Sequence, residues 1–412
     1  MTDPLPSAQA HIVQQASDFK WDGNSLEPGI GLALSGGGFR AMLFHAGALL
    51  RLNELGVLSR VARISSVSGG SIAAGFLASV WETLKPVNGV FDQFQQKYVE
   101  PILAFSREKI DVADILTGLL PWTSAAQQVA ASYDKSLLHD KTLQDLPNQP
   151  CFVFCATNIQ TGVLWRFSKP YAGDYVAGRF DKPNLPLSTA VTASSAFPPF
   201  LSPLVLTPPA GSITDWPHQR PGAGGIVDPT PYRSRVLLTD GGVYDNHGLE
   251  PIEKRYMTLL VSDGGAPFGR APDVKTDPIG QLRRVLDVTD NQVRALRRRD
   301  IVARFQAAEA AQAAGNLKSD GVDPYARFGS YWGIDTDPSK VAPAGALPCS
   351  RATTATLAEL ATRLSDLGEM QSKQLINWGY AISDRCVRVY YNRPEVQEMP
   401  APLWPYPTLP LG

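Results

Sequence analysis

Ser68 lies in the stretch Ile64-Ser-Ser-Val-Ser-Gly-Gly-Ser71, where a β-branched run stops at small residues and an alanine-rich apolar helix pattern begins. A serine hydroxyl is a weak nucleophile at its free pKa. To attack an ester it must stand on a tight strand-to-helix turn, beside a base, with backbone donors close by. Ser66 and Gly70, two positions either side, bring no bulk to such a turn. Gly69 lets the chain bend into the helix and leaves its N–H for an oxyanion. A second run, Gly31 to Ser35, leads into Gly36-Gly37-Gly38-Phe39 and a helical pattern from Arg40 to about Leu55. Bare N–H groups with a helix N-terminus behind them make an anion site, for a phosphate or for the oxyanion of a tetrahedral intermediate. Arg40 adds a positive charge in the same turn. Gly36, Gly38 and Ala41 also satisfy a dinucleotide fingerprint, but that rival needs an acid at the end of the next strand. Ser65, Ser66 and Ser68 stand there instead, and no Walker pattern follows.

The third candidate is an acid. Val236-Leu-Leu-Thr-Asp-Gly-Gly-Val-Tyr-Asp-Asn246 is an apolar run that delivers Asp240 to a glycine turn, and Leu259-Leu-Val-Ser-Asp-Gly-Gly265 repeats the pattern with Asp263. In a parallel sheet the ligand crevice lies beyond the carboxyl ends of the strands, so Ser68, the glycine loop and either aspartate converge on one rim. Residue chemistry alone barely separates the two acids. Of five histidines, His247 is the one candidate for the third member of a triad, although a triad histidine belongs on a later strand-end loop. His45 reads as a packing residue. No histidine or cysteine pair has zinc-site spacing, and Cys151 and Cys155 read as buried strand thiols.

The set SGGGFR at 35–40, SVSGGS at 66–71, ASSAFPPF at 193–200 and TDGGVYDN at 239–246, in that order, resembles the patatin-like phospholipase family, bacterial type. The resemblance runs from about residue 28 to about 390. It implies a catalytic dyad of Ser68 and Asp240, an oxyanion hole from the backbone of Gly36, Gly37 and Gly38 with Gly69, and Arg40 as a substrate-binding residue. Asn246 after the DGG turn favours Asp240 over Asp263. The implied activity is that of a serine acyl hydrolase on lipid esters, phospholipids first (phospholipase A type), through an acyl-enzyme and with no cofactor or metal. The alternative is a dinucleotide- or phosphate-binding module on the glycine loop. Two residues depart from the family pattern: Ser66 replaces a glycine of GxSxG, and Ala41 replaces the glycine that follows the arginine.

The elements that must position these residues imply an α/β fold, a patatin-like three-layer α/β/α sandwich around a mainly parallel sheet with helical insertions. We expect an N-terminal extension (1–27), a single catalytic domain (28–390) with insertions at about 84–148 and 198–231, and a proline-rich, extended tail (391–412). The first insertion reads mostly helical and includes an amphipathic segment, Ile110 to Trp122, of the kind that packs on a core or covers a site. Residues 277–314 read as a long helix or a broken pair carrying many arginines, whose faces are either ion-paired or turned to lipid headgroups. Residues 353–382 read as one helix.

The chain's 412 residues are 44% hydrophobic and 19% charged, with a net charge of −1. That composition describes a globular protein with ample core and without a nucleic-acid footprint. The expected partners are a lipid substrate and, peripherally, a membrane surface. Met1 to Asn24 lacks the apolar core of a Sec signal, and the four cysteines form no disulfide framework. A cytoplasmic location, peripheral at a membrane or exported without a Sec signal, follows as the expectation.

Overall fold

A computed structural model describes residues 26–108, 125–216, 228–315, 325–391, 396 and 400–412. The amphipathic segment at 110–122, most of the N-terminal extension and the 217–227 part of the second insertion lie outside the described residues. In chain order the elements are β1 (Glu27–Leu34), α1 (Gly38–Glu54), β2 (Val61–Val67), α2 (Gly69–Val80), β3 (Cys151–Asn158), β4 (Val163–Phe167), β5 (Tyr171–Asp174), β6 (Gly178–Asp181) and α3 (Leu187–Ser194). They continue with β7 (Leu204–Leu206), β8 (Ile213–Thr214), β9 (Val236–Asp240), β10 (Tyr256–Asp263), α4 (Pro278–Ala313), β11 (Phe328–Gly333), α5 (Arg351–Ala358) and α6 (Glu369–Cys386).

One sheet holds all of these strands, in the order β8-β6-β5-β4-β3-β2-β1-β10-β11, with β9 joined to β3 and β7. The centre, β3-β2-β1-β10-β11, is parallel throughout. Beyond β3 the sheet continues antiparallel through β4, β5, β6 and β8. The α/β class and the parallel core agree with the motif reading.

Side chains on a strand alternate between its two faces. Leu32 and Leu34 of β1, Ile64 of β2 and Phe152 and Phe154 of β3 enter the main core, whereas Ala33 of β1 with Leu259 and Val261 of β10 enter a second core. The main core is covered by α1, α2 and α6. Ile301 and Phe305 of α4 close the second. Helix α1 is buried from Gly38 to Asn53, with α6 packed along it. Gly47 permits that approach, because a Cβ there would stand 1.9 Å from the carbonyl oxygen of Ile376. Arg51 of α1 pairs with Asp384 of α6 at 2.8 Å with both side chains buried.

Three expectations change. The helix expected over 353–382 is two, α5 and α6, interrupted before Gly368, which has φ +85°. The first insertion, mostly helical over its described residues as read, adds a short antiparallel hairpin the reading did not contain, Pro86–Val87 against Val90–Phe91. The tail is irregular but not free: Asn377 Nδ2 donates to the carbonyl oxygens of Tyr406 and Leu409, and Leu411 is fully buried. Residues 278–313, by contrast, form a single unbroken helix.

Candidate active site

Ser68 follows the last residue of β2 and caps α2, with φ +51° and ψ −119°. A non-glycine residue with positive φ is strained, and such strain persists only where the surroundings over-determine it. Here they do. The Ser68 N–H donates both to the carbonyl oxygen of Ser194 (3.1 Å) and to Ser194 Oγ (3.0 Å). Ser194 Oγ in turn donates to the Cys155 carbonyl at 2.6 Å, and Ser71 Oγ lies 2.8 Å from Ser194 Oγ and 2.9 Å from Ser66 Oγ. The hydroxyl at position 66 therefore has partners, which explains how a serine fits where the family has glycine.

Asp240 reaches Ser68 by a route that strand-rim logic does not supply. β9 is antiparallel to β3, pairing Asp240 with Ala156, whereas β2 is parallel to β3, pairing Val67 with Cys155. The other edge of β3 at these positions is occupied by β4. So β2 and β9 share one lane beside β3 and meet end to end, Ser68 facing Asp240. The Ser194 carbonyl spans the junction, accepting from the Gly241 N–H (3.2 Å) as well as from Ser68, and the Ala196 carbonyl accepts from the Asp240 N–H (2.9 Å). Segment 193–200, known in the sequence only as a family motif, is the clamp. Its hydroxyl at 194 was missed, and a serine three residues before the Phe-Pro-Pro turn was the one signal for it.

The Asp240 carboxylate accepts from the Gly242 N–H at 2.7 Å, and the Ser68 side chain is near enough to favour its charged form. Burial pushes its pKa up to about 6; the Gly242 N–H and the neighbouring Ser68 oppose the rise and the Asp290 charge adds to it. A carboxylate poised near neutrality suits a general base. Asp263 is different. Its carboxylate is held by His247 Nε2 (3.1 Å), Tyr331 Oη (2.7 Å) and the Gly265 N–H (2.9 Å), with Arg294 at 3.5 Å. Burial works against ionisation, yet the His247 and Arg294 charges hold its pKa well below the usual carboxylate range. His247 is thereby committed to Asp263 and not to Asp240. His45 is fully buried between Ser262 Oγ (2.8 Å) and the Ser35 carbonyl (3.0 Å), a packing residue as read.

The glycine loop crosses the elbow at backbone contact. A Cβ on Gly69 would stand 2.1 Å from the Gly38 carbonyl oxygen, and one on Gly36 would stand 3.2 Å from Ser68 Cβ. Gly37 (φ +144°) and Gly38 (φ +61°) take conformations that favour glycine. Among the described residues, the N–H groups of Gly37, Gly38 and Gly69 have no hydrogen-bond partner, which leaves them for an incoming oxyanion. Gly36 corrects the expectation: its N–H donates to the Asn246 carbonyl at 3.0 Å. It brings the loop against Ser68 and supplies no donor. Arg40 is corrected as well. Its side chain is completely buried, donating to the carbonyls of Gly264 and Leu360, so it braces the loop from below and is not open to substrate. Burial and the nearby Arg294 lower its pKa to about 10.

The family model for patatin-like phospholipases matches residues 32–252, more than half of the chain. The chain belongs to the patatin-like phospholipase family. Its members are lipid acyl hydrolases, and the four motifs that carry the resemblance, at 35–40, 66–71, 193–200 and 239–246, fall within the matched span. No curated protein sequence matches. Among solved structures, the patatin-like chain is similar to human GIVD cytosolic phospholipase A2 (14% identity, TM-score 0.48, 90% of this chain and 64% of that one). It is also similar to that enzyme in complex with methyl γ-linolenyl fluorophosphonate (15% identity, TM-score 0.46, 91% and 62%) and to VipD from Legionella pneumophila (15% identity, TM-score 0.36, 87% and 66%). The chain thus spans slightly under two thirds of the human enzyme it matches.

Proposed function

We propose that this patatin-like protein is a serine hydrolase of lipid esters, phospholipids above all, acting as a phospholipase A through Ser68 and Asp240. The observation that carries the reading is the end-to-end meeting of β2 and β9, which sets Ser68 against a buried Asp240 carboxylate in an elbow with unpaired N–H groups beside it. Asp240 accepts the hydroxyl proton as Ser68 Oγ attacks the ester carbonyl. The oxyanion then develops against the N–H groups of Gly37, Gly38 and Gly69, each such donor contributing about 3 kcal/mol in comparable chemistry. The C–O bond to the alcohol breaks, and Asp240 returns the proton to the leaving oxygen. Water, deprotonated by the same carboxylate, attacks the acyl-enzyme and releases fatty acid and free Ser68. A substrate held in a bilayer makes a membrane surface the place of action, and no helix among the described residues is long and apolar enough to cross one.

The test is fatty-acid release from mixed phospholipid vesicles, together with labelling by a fluorophosphonate. Wild type is expected to release fatty acid and to be labelled at Ser68, and Ser68→Ala to do neither while keeping its circular dichroism. Full release by the alanine variant would reject the nucleophile.

A further inference from the structure

Helix α4 is covered along only part of its length. Its second half rests on the sheet through Ile301 and Phe305, and Arg294, Arg297, Arg298 and Arg304 pair with Asp263, Glu250, Asp335 and Asp300. These arginines, expected as a lipid-headgroup contact or an ion-paired face, are ion-paired. The first half is exposed almost throughout. On one side of it Ile279, Leu282 and Leu286 are 81%, 62% and 60% exposed, and Leu296 farther along is 56% exposed. Single exposed leucines are ordinary, but a contiguous row marks an interaction surface. Ile279, Leu282, Leu286, Thr289, Val293 and Leu296 recur at alternating steps of three and four. That is the a/d repeat of a coiled-coil seam, interrupted by one threonine.

We propose that this seam pairs with the same seam of a second copy of the chain, as an antiparallel two-helix coiled coil. In that register a positions face d positions: Ile279 meets Leu296, Leu282 meets Val293 and Leu286 meets Thr289. Two-fold symmetry makes each contact occur twice. The same register sets Arg283 of one copy opposite Asp290 of the other, both at the e position flanking the seam. A parallel pairing would set Val285 against Asp290 and Gln292 against Arg297, with no ion pair formed. Charge also argues against a bilayer as the occupant. The exposed charges beside the row include Arg283 and Arg299 but also Asp287 and Asp290, whereas a helix lying on lipid carries Lys and Arg on its polar face.

Sedimentation equilibrium of the full chain tests the pairing. Wild type is expected to be a reversible dimer at micromolar concentration, and Leu282→Asp/Leu286→Asp a monomer with unchanged helicity. Arg283→Asp and Asp290→Arg are each expected to raise the dimer dissociation constant by roughly tenfold. Combining the two changes should restore it. A monomeric wild type overturns the proposal, as does a combined charge swap no tighter than either single change. Loss of phosphatidylcholine vesicle binding by the leucine variant of a monomeric wild type would assign the row to lipid instead.

Discussion

Ser68 and Asp240 close the facing ends of two strands that approach each other along one edge of β3, at neighbouring pairing positions Cys155 and Ala156. The encounter is fixed by backbone and not by side-chain reach. Both strand ends are tied to one acceptor, the Ser194 carbonyl, so neither moves without the other. This geometry makes the two residues a unit, and the predictions below follow from treating them as one.

Activity should follow the ionisation of Asp240. Its pKa of about 6 places the base largely ionised at pH 7 and half protonated one unit lower. The expected kcat/KM profile on a neutral phospholipid is flat above about pH 7 and falls about tenfold per unit on the acid side. A profile that stays flat to pH 4.5, with the protein still folded, would remove Asp240 from the role of base.

The same burial makes Asp240 a cost to the fold. Its carboxyl titrates near 3.8 when unfolded and near 6 when folded, so the native state holds the proton more tightly and stability falls as pH rises from about 4 to 6. Asp240→Asn removes that dependence. The variant should lose ester hydrolysis while gaining up to about 3 kcal/mol at pH 7, an upper bound from two pKa units. At pH 4 the gain should vanish. Urea denaturation of both proteins at the two pH values reads this out directly.

Ser194→Ala tests the clamp. The variant keeps the Ser194 carbonyl bond to Ser68 but loses the hydroxyl that accepts from the Ser68 N–H and donates to Cys155. A nucleophile displaced by even an ångström costs on the order of a hundredfold in rate. The expected result is a kcat lower by about that factor with KM little changed, since the hydroxyl is buried and meets no substrate. A pure loss of thermal stability with kcat intact would make Ser194 a packing residue only.

The nucleophile elbow, the glycine loop and the parallel core were legible because each depends on local rules. Strands that run into glycine turns announce themselves through β-branched runs and small residues. The strand direction of β9 was not legible. Val236 to Thr239 reads the same whether its neighbour runs parallel or antiparallel, and the length and proline content of 198–231 permit either. Gly36 and Arg40 illustrate a second limit. A glycine-rich loop predicts free N–H groups, but which of them is already bonded depends on Asn246, some 200 positions away. A cation beside an anion site reads as a ligand residue until burial turns it toward carbonyls of 264 and 360.

Asp263 and Asp240 could not be separated by residue chemistry, and one substitution now distinguishes them. Asp263→Asn strips a negative partner from half-buried Arg294 and weakens the hold on buried His247 and half-buried Tyr331. Breaking a buried charge pair by removing one partner costs about 3–5 kcal/mol. The variant should therefore melt well below wild type. Its remaining folded fraction, assayed at low temperature, should still hydrolyse ester within about tenfold of wild type, whereas loss of a general base such as Asp240 costs 10²- to 10⁴-fold. If Asp263→Asn stays folded and inactive while Asp240→Asn keeps its rate, the base has been assigned to the wrong strand.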